Sequence, residues 1–172
     1  MDVLTALQNM LEFSTAPLLK LQALIKIIEQ YGYNSELKQV TNSNSDYAVV
    51  RFYALVLIGS VVSDIEFQSS TDSRNIADQL NDIYESEYDF QTDMSVFEYL
   101  SELQAQTVNI ILSDGYGLPT LTSYTSKSSM PACSIAQQLY QDGSRTDEII
   151  IRNNSDVTHP LFMPLTVEVL NS

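Results

Sequence analysis

The chain has no tryptophan, one cysteine and one histidine in 172 residues. A lone Cys133 cannot close an intrachain disulfide, and a zinc site needs about four ligands of the Cys, His or carboxylate type. No metal and no cofactor is expected. Cys133 and His159 could form a nucleophilic pair on composition alone. Cys133, however, follows Pro131 at the start of a short helix, where a small apolar residue packs well, and it reads as structural. Cations are scarce too: 8 Lys and Arg stand against 22 Asp and Glu, a net charge of −14. They are spaced singly, at Lys20, Lys26, Lys38, Arg51, Arg74, Lys127, Arg145 and Arg152. Phosphate neutralisation needs them clustered, so no nucleic acid is expected as a partner. An acidic membrane surface would repel such a chain. The longest apolar stretch, residues 47–62, carries Arg51 and falls short of the roughly 20 residues that span a bilayer. Met1-Asp2-Val3-Leu4 lacks a basic n-region, so no secretory leader and a soluble, intracellularly made protein are expected.

Catalytic patterns are missing as well. No Gly-rich loop leads to a Lys, and there is no G-x-S-x-G elbow and no H-E-x-x-H helix. Carboxylate pairs such as Glu85/Glu87 and Asp147/Glu148 sit on polar helical stretches with nothing to mark a cleft. No catalytic residue is expected, and the chain reads as a non-enzyme.

What the chain does have is helical periodicity. Leu4, Leu7, Met10 and Leu11 share one face, and Leu18, Leu21, Leu24, Ile25 and Ile28 share another. Between them, Thr15 can cap and Pro17 suits a first turn, giving two short helices or one kinked one. This amphipathic segment packs in a bundle or docks on a neighbouring subunit. Residues 31–45 form a polar connector with room for a helical turn over 35–40. Residues 47–62 leave almost no polar face, and their length favours a buried helix over a strand. Gly59 and Ser60 would let a neighbouring helix approach. From Glu66 to Glu102 the chain is acidic, with Arg74 its one cation. Asp72 or Ser73 can cap a helix running to Tyr84, residues 85–89 read as a turn or frayed end, and a further helix runs within 90–114. The acids form a solvated face or meet a basic partner. Asp114-Gly115-Tyr116-Gly117 is a stop and hinge.

The last fifty residues read as strand, helix, helix, strand. Leu121, Ser123 and Thr125 alternate with Thr122 and Tyr124, and Ile135, Ala136, Leu139 and Tyr140 repeat at helical spacing. Gly143 is the expected stop and Ser144 the expected cap of a second helix with Asp147 and Glu148 in its first turn. Asn153 and Asn154 would end it through the left-handed conformation that Asn tolerates. Pro160 and Pro164 punctuate the return to a final strand over 166–170. The expected fold is mainly α: a helical bundle of about four helices over residues 1–115, then a small β-α-α-β module over 118–171.

The order and spacing of Tyr124-Thr125, Ser134-Ile135-Ala136, Tyr140, Asp147-Glu148-Ile149 and Asn153-Asn154 resemble a LysM domain. Such modules often bind N-acetylglucosamine polymers, so the resemblance implies peptidoglycan binding as one alternative. Both sugar-binding loops depart from the pattern. Ser128-Ser129-Met130-Pro131 stands where the family reads near Gly-Asp-Thr, and Met163-Pro164-Leu165 where it has Pro-Gly. A wider set of residues resembles the carboxyl-terminal part of the Mu-like phage tail and baseplate family labelled DNA circularisation protein. These are Leu118 to Leu121, Tyr124-Thr125, Leu139 to Ile149, Arg152-Asn153, His159-Pro160 and Leu165 to Leu170. That resemblance implies a structural protein of a contractile tail, located in the virion and in host cytoplasm during assembly. Its expected partners are hub, tube-end, wedge or sheath proteins, with about six symmetry-related copies per tail. A tail assembly chaperone is the other alternative. Candidate partner-binding residues are Tyr124, Asn153, Asn154, His159, Pro160 and Phe162, with loop 155–165 and the strand edges as docking surfaces. Asn153 and Asn154 serve either as the helix cap or as sugar ligands; His159 contacts a partner or packs ahead of Pro160.

Overall fold

Seven helices and two short antiparallel ribbons make up the computed structural model, which describes residues 3–12, 14–42, 44–154, 156 and 159–171. The protein is mainly helical. It divides into two compact units, Met1–Phe67 with Asp72–Tyr116, and Gln68–Thr71 with Gly117–Ser172.

The first unit holds α1 (Val3–Leu11), α2 (Pro17–Gln30), β1 (Tyr33–Asn34), β2 (Gln39–Val40), α3 (Ser45–Val62), α4 (Ser70–Tyr88) and α5 (Met94–Asp114). The first two residues of α4 cluster with the second unit. The chain breaks between α1 and α2 because Pro17 takes the first helical position. Thr15 does not cap that helix; Ala16 holds the N-cap position without a side-chain bond. The helical turn expected over 35–40 is a β-hairpin, with Tyr33 opposite Val40 and Asn34 opposite Gln39. Its turn is made by the Asn34 side chain, whose Oδ1 accepts the N–H groups of Glu36 and Leu37 at 3.0 and 2.9 Å. Lys38 takes a positive φ of 51° to close it. Tyr33 and Val40 are buried, so each two-residue strand presents a single inward side chain.

α3 is the central element, packed on α1, α2 and α5. By length and composition it could cross a membrane, yet Ala54, Leu55, Leu57, Ile58, Val61 and Val62 are buried in this unit's core. Its first turns are less enclosed than expected, with Tyr47 and Val49 exposed. Gly59 does allow a close approach, since a Cβ there would lie 2.8 Å from Leu103 Cδ1 of α5. Leu24, Ile28, Leu55, Ile58, Leu80, Ile83, Leu100 and Ile111 have no exposed surface. Each such side chain contributes about 1.5–3 kcal/mol by leaving water. α4 starts before Asp72 and Ser73, the expected caps, and continues to Tyr88, across most of the expected turn at 85–89. The reason is tertiary. Glu87 is buried in an ion pair with Arg51, and the Tyr88 ring packs 4.9 Å from that of Phe97.

The second unit is β3 (Thr120–Thr125), α6 (Ala132–Tyr140), a 3-10 turn (Gly143–Arg145), α7 (Thr146–Arg152) and β4 (Thr166–Asn171). β3 and β4 pair antiparallel from Thr120↔Asn171 to Thr125↔Thr166. Ala132, Ile135 and Ala136 of α6, Ile149 of α7, and Met163, Val167 and Val169 form its core. Three local expectations are corrected. α6 ends through Gln141 in the left-handed conformation, not at Gly143. Ser144 caps nothing; Asp142 accepts its N–H at 2.9 Å and starts the 3-10 turn. Asn153 ends α7 with φ at −101°, outside the left-handed region, because its side chain is held elsewhere. The segment 68–71 serves this unit directly: the Ser70 N–H donates to the Pro119 carbonyl at 3.0 Å, and Thr71 Oγ1 accepts the Leu121 N–H at 3.0 Å.

Candidate partner-binding site

The loop after α7 is built from the inside outward. Met163 is its anchor, buried in the second unit's core. The Met163 N–H donates to the Met130 carbonyl at 3.2 Å, and the Ser129 hydroxyl donates to the Met163 carbonyl at 2.9 Å. The Ser126 N–H reaches the Leu165 carbonyl at 2.7 Å, and the Ala132 N–H reaches the Pro160 carbonyl at 2.9 Å. A backbone fixed at these points holds its other side chains out. Leu161 is 53% exposed, Phe162 69% and Leu165 54%.

His159 is exposed, and its Nδ1 accepts the Leu161 N–H at 3.1 Å. The Phe162 N–H returns to the His159 carbonyl at 2.9 Å, and the two rings lie 6.1 Å apart. His159, Pro160 and Phe162 therefore belong to one turn that presents an aromatic and two aliphatic side chains to solvent. Of the wider loop 155–165, positions 155, 157 and 158 lie outside the described residues.

The other candidates sit apart from this turn in role. Tyr124 is half-buried on β3, its hydroxyl donating to Gln138 Oε1 of α6 at 2.9 Å. Asn153 is buried and turned onto its own backbone: Nδ2 donates to the Ile149 and Glu168 carbonyls at 2.8 Å, and Oδ1 accepts the Glu168 N–H at 2.8 Å. Such an amide has no donor left over for a sugar, and its remaining Oδ1 lone pair is buried. Asn154 is exposed beside it, with its N–H on the Ile151 carbonyl at 3.3 Å.

Residues that sequence reasoning did not single out also contribute. Ile151 is 74% exposed on α7. The signal was available, since three consecutive isoleucines on a seven-residue helix cannot all face inward. Arg145 stacks on the Tyr140 ring at 3.6 Å and grips Glu148 through two bonds of 2.9 and 3.0 Å. Burial raises the Tyr140 pKa, which Arg145 opposes, and its hydroxyl donates to the Leu170 carbonyl at 2.9 Å. Among the described residues, no group of three His, Cys, Asp or Glu could hold a metal ion. The arrangement offers apolar and backbone contact, the chemistry of protein–protein docking. Compared with known proteins, the chain matches no family model and no curated sequence.

Proposed function

We propose that the chain is a non-enzymatic structural component of a contractile phage tail baseplate. It would act as an adaptor between the central hub or tube end and the surrounding wedge or sheath proteins. The observation that carries this reading is the carboxyl-terminal resemblance, from Leu118-Pro119-Thr120-Leu121 to Leu165–Leu170, falling on one compact β-α-α-β unit. In this reading that unit is LysM-like, and it serves as a docking module rather than a glycan reader. The exposed turn of Leu161, Phe162 and Leu165 supports docking, because anchored apolar side chains lose little entropy on binding. The engagement of Asn153 with its own backbone counts against sugar binding. The acidic helical unit would meet basic surfaces of its neighbours, and about six copies would surround the tail axis.

Mass spectrometry of purified tails after chemical cross-linking tests this. The expected result is the chain present in finished particles, with Lys127 linked to a hub, wedge or sheath protein. Its presence in infected cells but absence from particles would replace the adaptor with an assembly chaperone.

A further inference from the structure

The two edges of the β3–β4 ribbon are finished differently. In an antiparallel pair, alternate residues turn N–H and C=O toward the partner strand, and those between turn them outward. The Ser126 N–H bond to the Leu165 carbonyl sets the parity. With the observed register, Leu121, Ser123 and Thr125 face outward on β3, and Thr166, Glu168 and Leu170 face outward on β4. Two bonds agree with that parity: the Leu121 N–H goes to Thr71, and the Glu168 N–H goes to Asn153.

The β4 edge is blocked at its middle. The Asn153 amide occupies both outward groups of Glu168, as a third strand would, and the Tyr140 hydroxyl takes the Leu170 carbonyl. On the β3 edge, among the described residues, only the Leu121 N–H is met. Ser123 and Thr125 are exposed, and among the described residues nothing meets their outward backbone groups. The strand reads Thr-Leu-Thr-Ser-Tyr-Thr, with none of the charges or prolines that usually protect an edge.

We propose that this edge pairs with the same edge of a second copy of the chain. The open positions, 123 and 125, are symmetric about Tyr124. A two-fold axis beside Tyr124 sets Ser123 of one copy opposite Thr125 of the other, so the outward N–H and C=O of both residues find partners. The covered Leu121 then falls opposite position 127, beyond the strand. Tyr124 meets its own counterpart in the non-bonded type of pair, where side chains lie closest and aromatic contacts are favourable. Charge favours this site for self-contact. The whole chain carries −14, but β3 is uncharged, and in its unit Lys127, Arg145 and Arg152 stand against Asp142, Asp147, Glu148, Asp156 and Glu168, a small share of that charge. Two copies therefore approach here with little like-charge repulsion. The Asn153 side chain, seated on the middle of β4 where a further strand would pair, ends growth at a four-stranded sheet. Such a short edge buries well under the ~1,200 Å² of a stable interface, so the pairing is weak and reversible. It stands on the geometry alone and does not depend on the tail reading.

Sedimentation equilibrium of the full chain, from about 10 μM to about 1 mM, tests it. The expected mass rises from one chain toward two and stops there. Over the same range, hydrogen exchange slows at the Ser123 and Thr125 amides and stays constant at Thr122. Thr125→Pro removes one outward donor and takes from β4 no backbone bond, only the exposed hydroxyl contact of Thr125 with Thr166 at 3.2 Å. Thr125→Lys keeps that donor and sets two cations diagonally across the axis. Each should weaken dimerisation about tenfold or more with circular dichroism unchanged and melting little changed, since the hydroxyl contact both lose is exposed. If the proline variant does not fold, the lysine variant decides. A single-chain mass throughout, or undiminished dimerisation of the folded variants, overturns the proposal.

Discussion

Arg51 is a guanidinium with no exposed surface, set in the most apolar helix of the chain. Each buried ion loses several kcal/mol of hydration, which is offset only where its remaining donors and acceptors are met. Here they are. Nε and Nη2 face the two oxygens of Glu87, while Nη1 donates to the Tyr31 carbonyl at 2.7 Å and the Asn42 carbonyl at 3.3 Å. One side chain thus ties α3 to α4, to the end of α2 and to the connector before α3. Arg51→Met leaves Glu87 buried without its partner and should cost about 3–5 kcal/mol in urea denaturation. Adding Glu87→Met should return most of that loss, since two apolar side chains suit the site. Equal destabilisation in the double variant would mean that packing, not charge, is what the site requires. Tyr84, also buried, donates to the Leu55 carbonyl at 3.4 Å, and burial pushes its pKa up to about 12. It stays neutral through the physiological range.

At the scale of elements, caps set where helices begin. Asp93 starts α5 by accepting the N–H of Ser95 at 2.9 Å and its hydroxyl at 2.6 Å. Those bonds hold its pKa below the usual carboxylate value. A lowered folded-state pKa means that the cap's contribution is present above about pH 4 and is lost as pH falls through the folded value. Protection factors of the Ser95 and Val96 amides should therefore drop between about pH 4 and pH 2. Asp93→Asn, a neutral cap, should flatten that dependence while keeping the helix start. Helices were the most legible part of the sequence, because apolar spacing and Pro17 mark them directly. The 33–40 hairpin was not, since two-residue strands show no alternation and Lys38 does by φ what a glycine would have signalled. The extension of α4 to Tyr88 was hidden for a different reason: a Glu in an acidic run gives no local sign that it will be buried against an Arg 36 residues away. At the candidate site, the loop containing His159 and Phe162 was legible from its prolines and aromatics. The strand-mimicking role of Asn153 was not, because Asn after a helix usually signals a backbone conformation rather than a side-chain one.

For the whole molecule, charge is unevenly shared. Most of the acids behind the −14 lie before residue 117, where Lys20, Lys26, Lys38, Arg51 and Arg74 are the only cations. Self-repulsion of that kind opposes compaction and is screened over about 10 Å at 0.1 M salt. The melting temperature should accordingly rise by a few degrees between about 10 and 200 mM sodium chloride, followed by circular dichroism. A fall would show that ion pairs outweigh repulsion.

The chain's division into units also bears on how it is made. The segment 68–71 emerges from the ribosome long before the strand it serves, and Thr71 and Leu121 are 50 residues apart. At ~5–20 residues per second, Thr71 waits several seconds for that partner. β3 must wait again, for β4 to follow 41 residues later in the pairing of Thr125 with Thr166. The helices before residue 117 can meanwhile find their contacts. Birth order therefore places the completion of the strand ribbon after the helices before residue 117, and the open edge of β3 comes into being only when those helices are already formed.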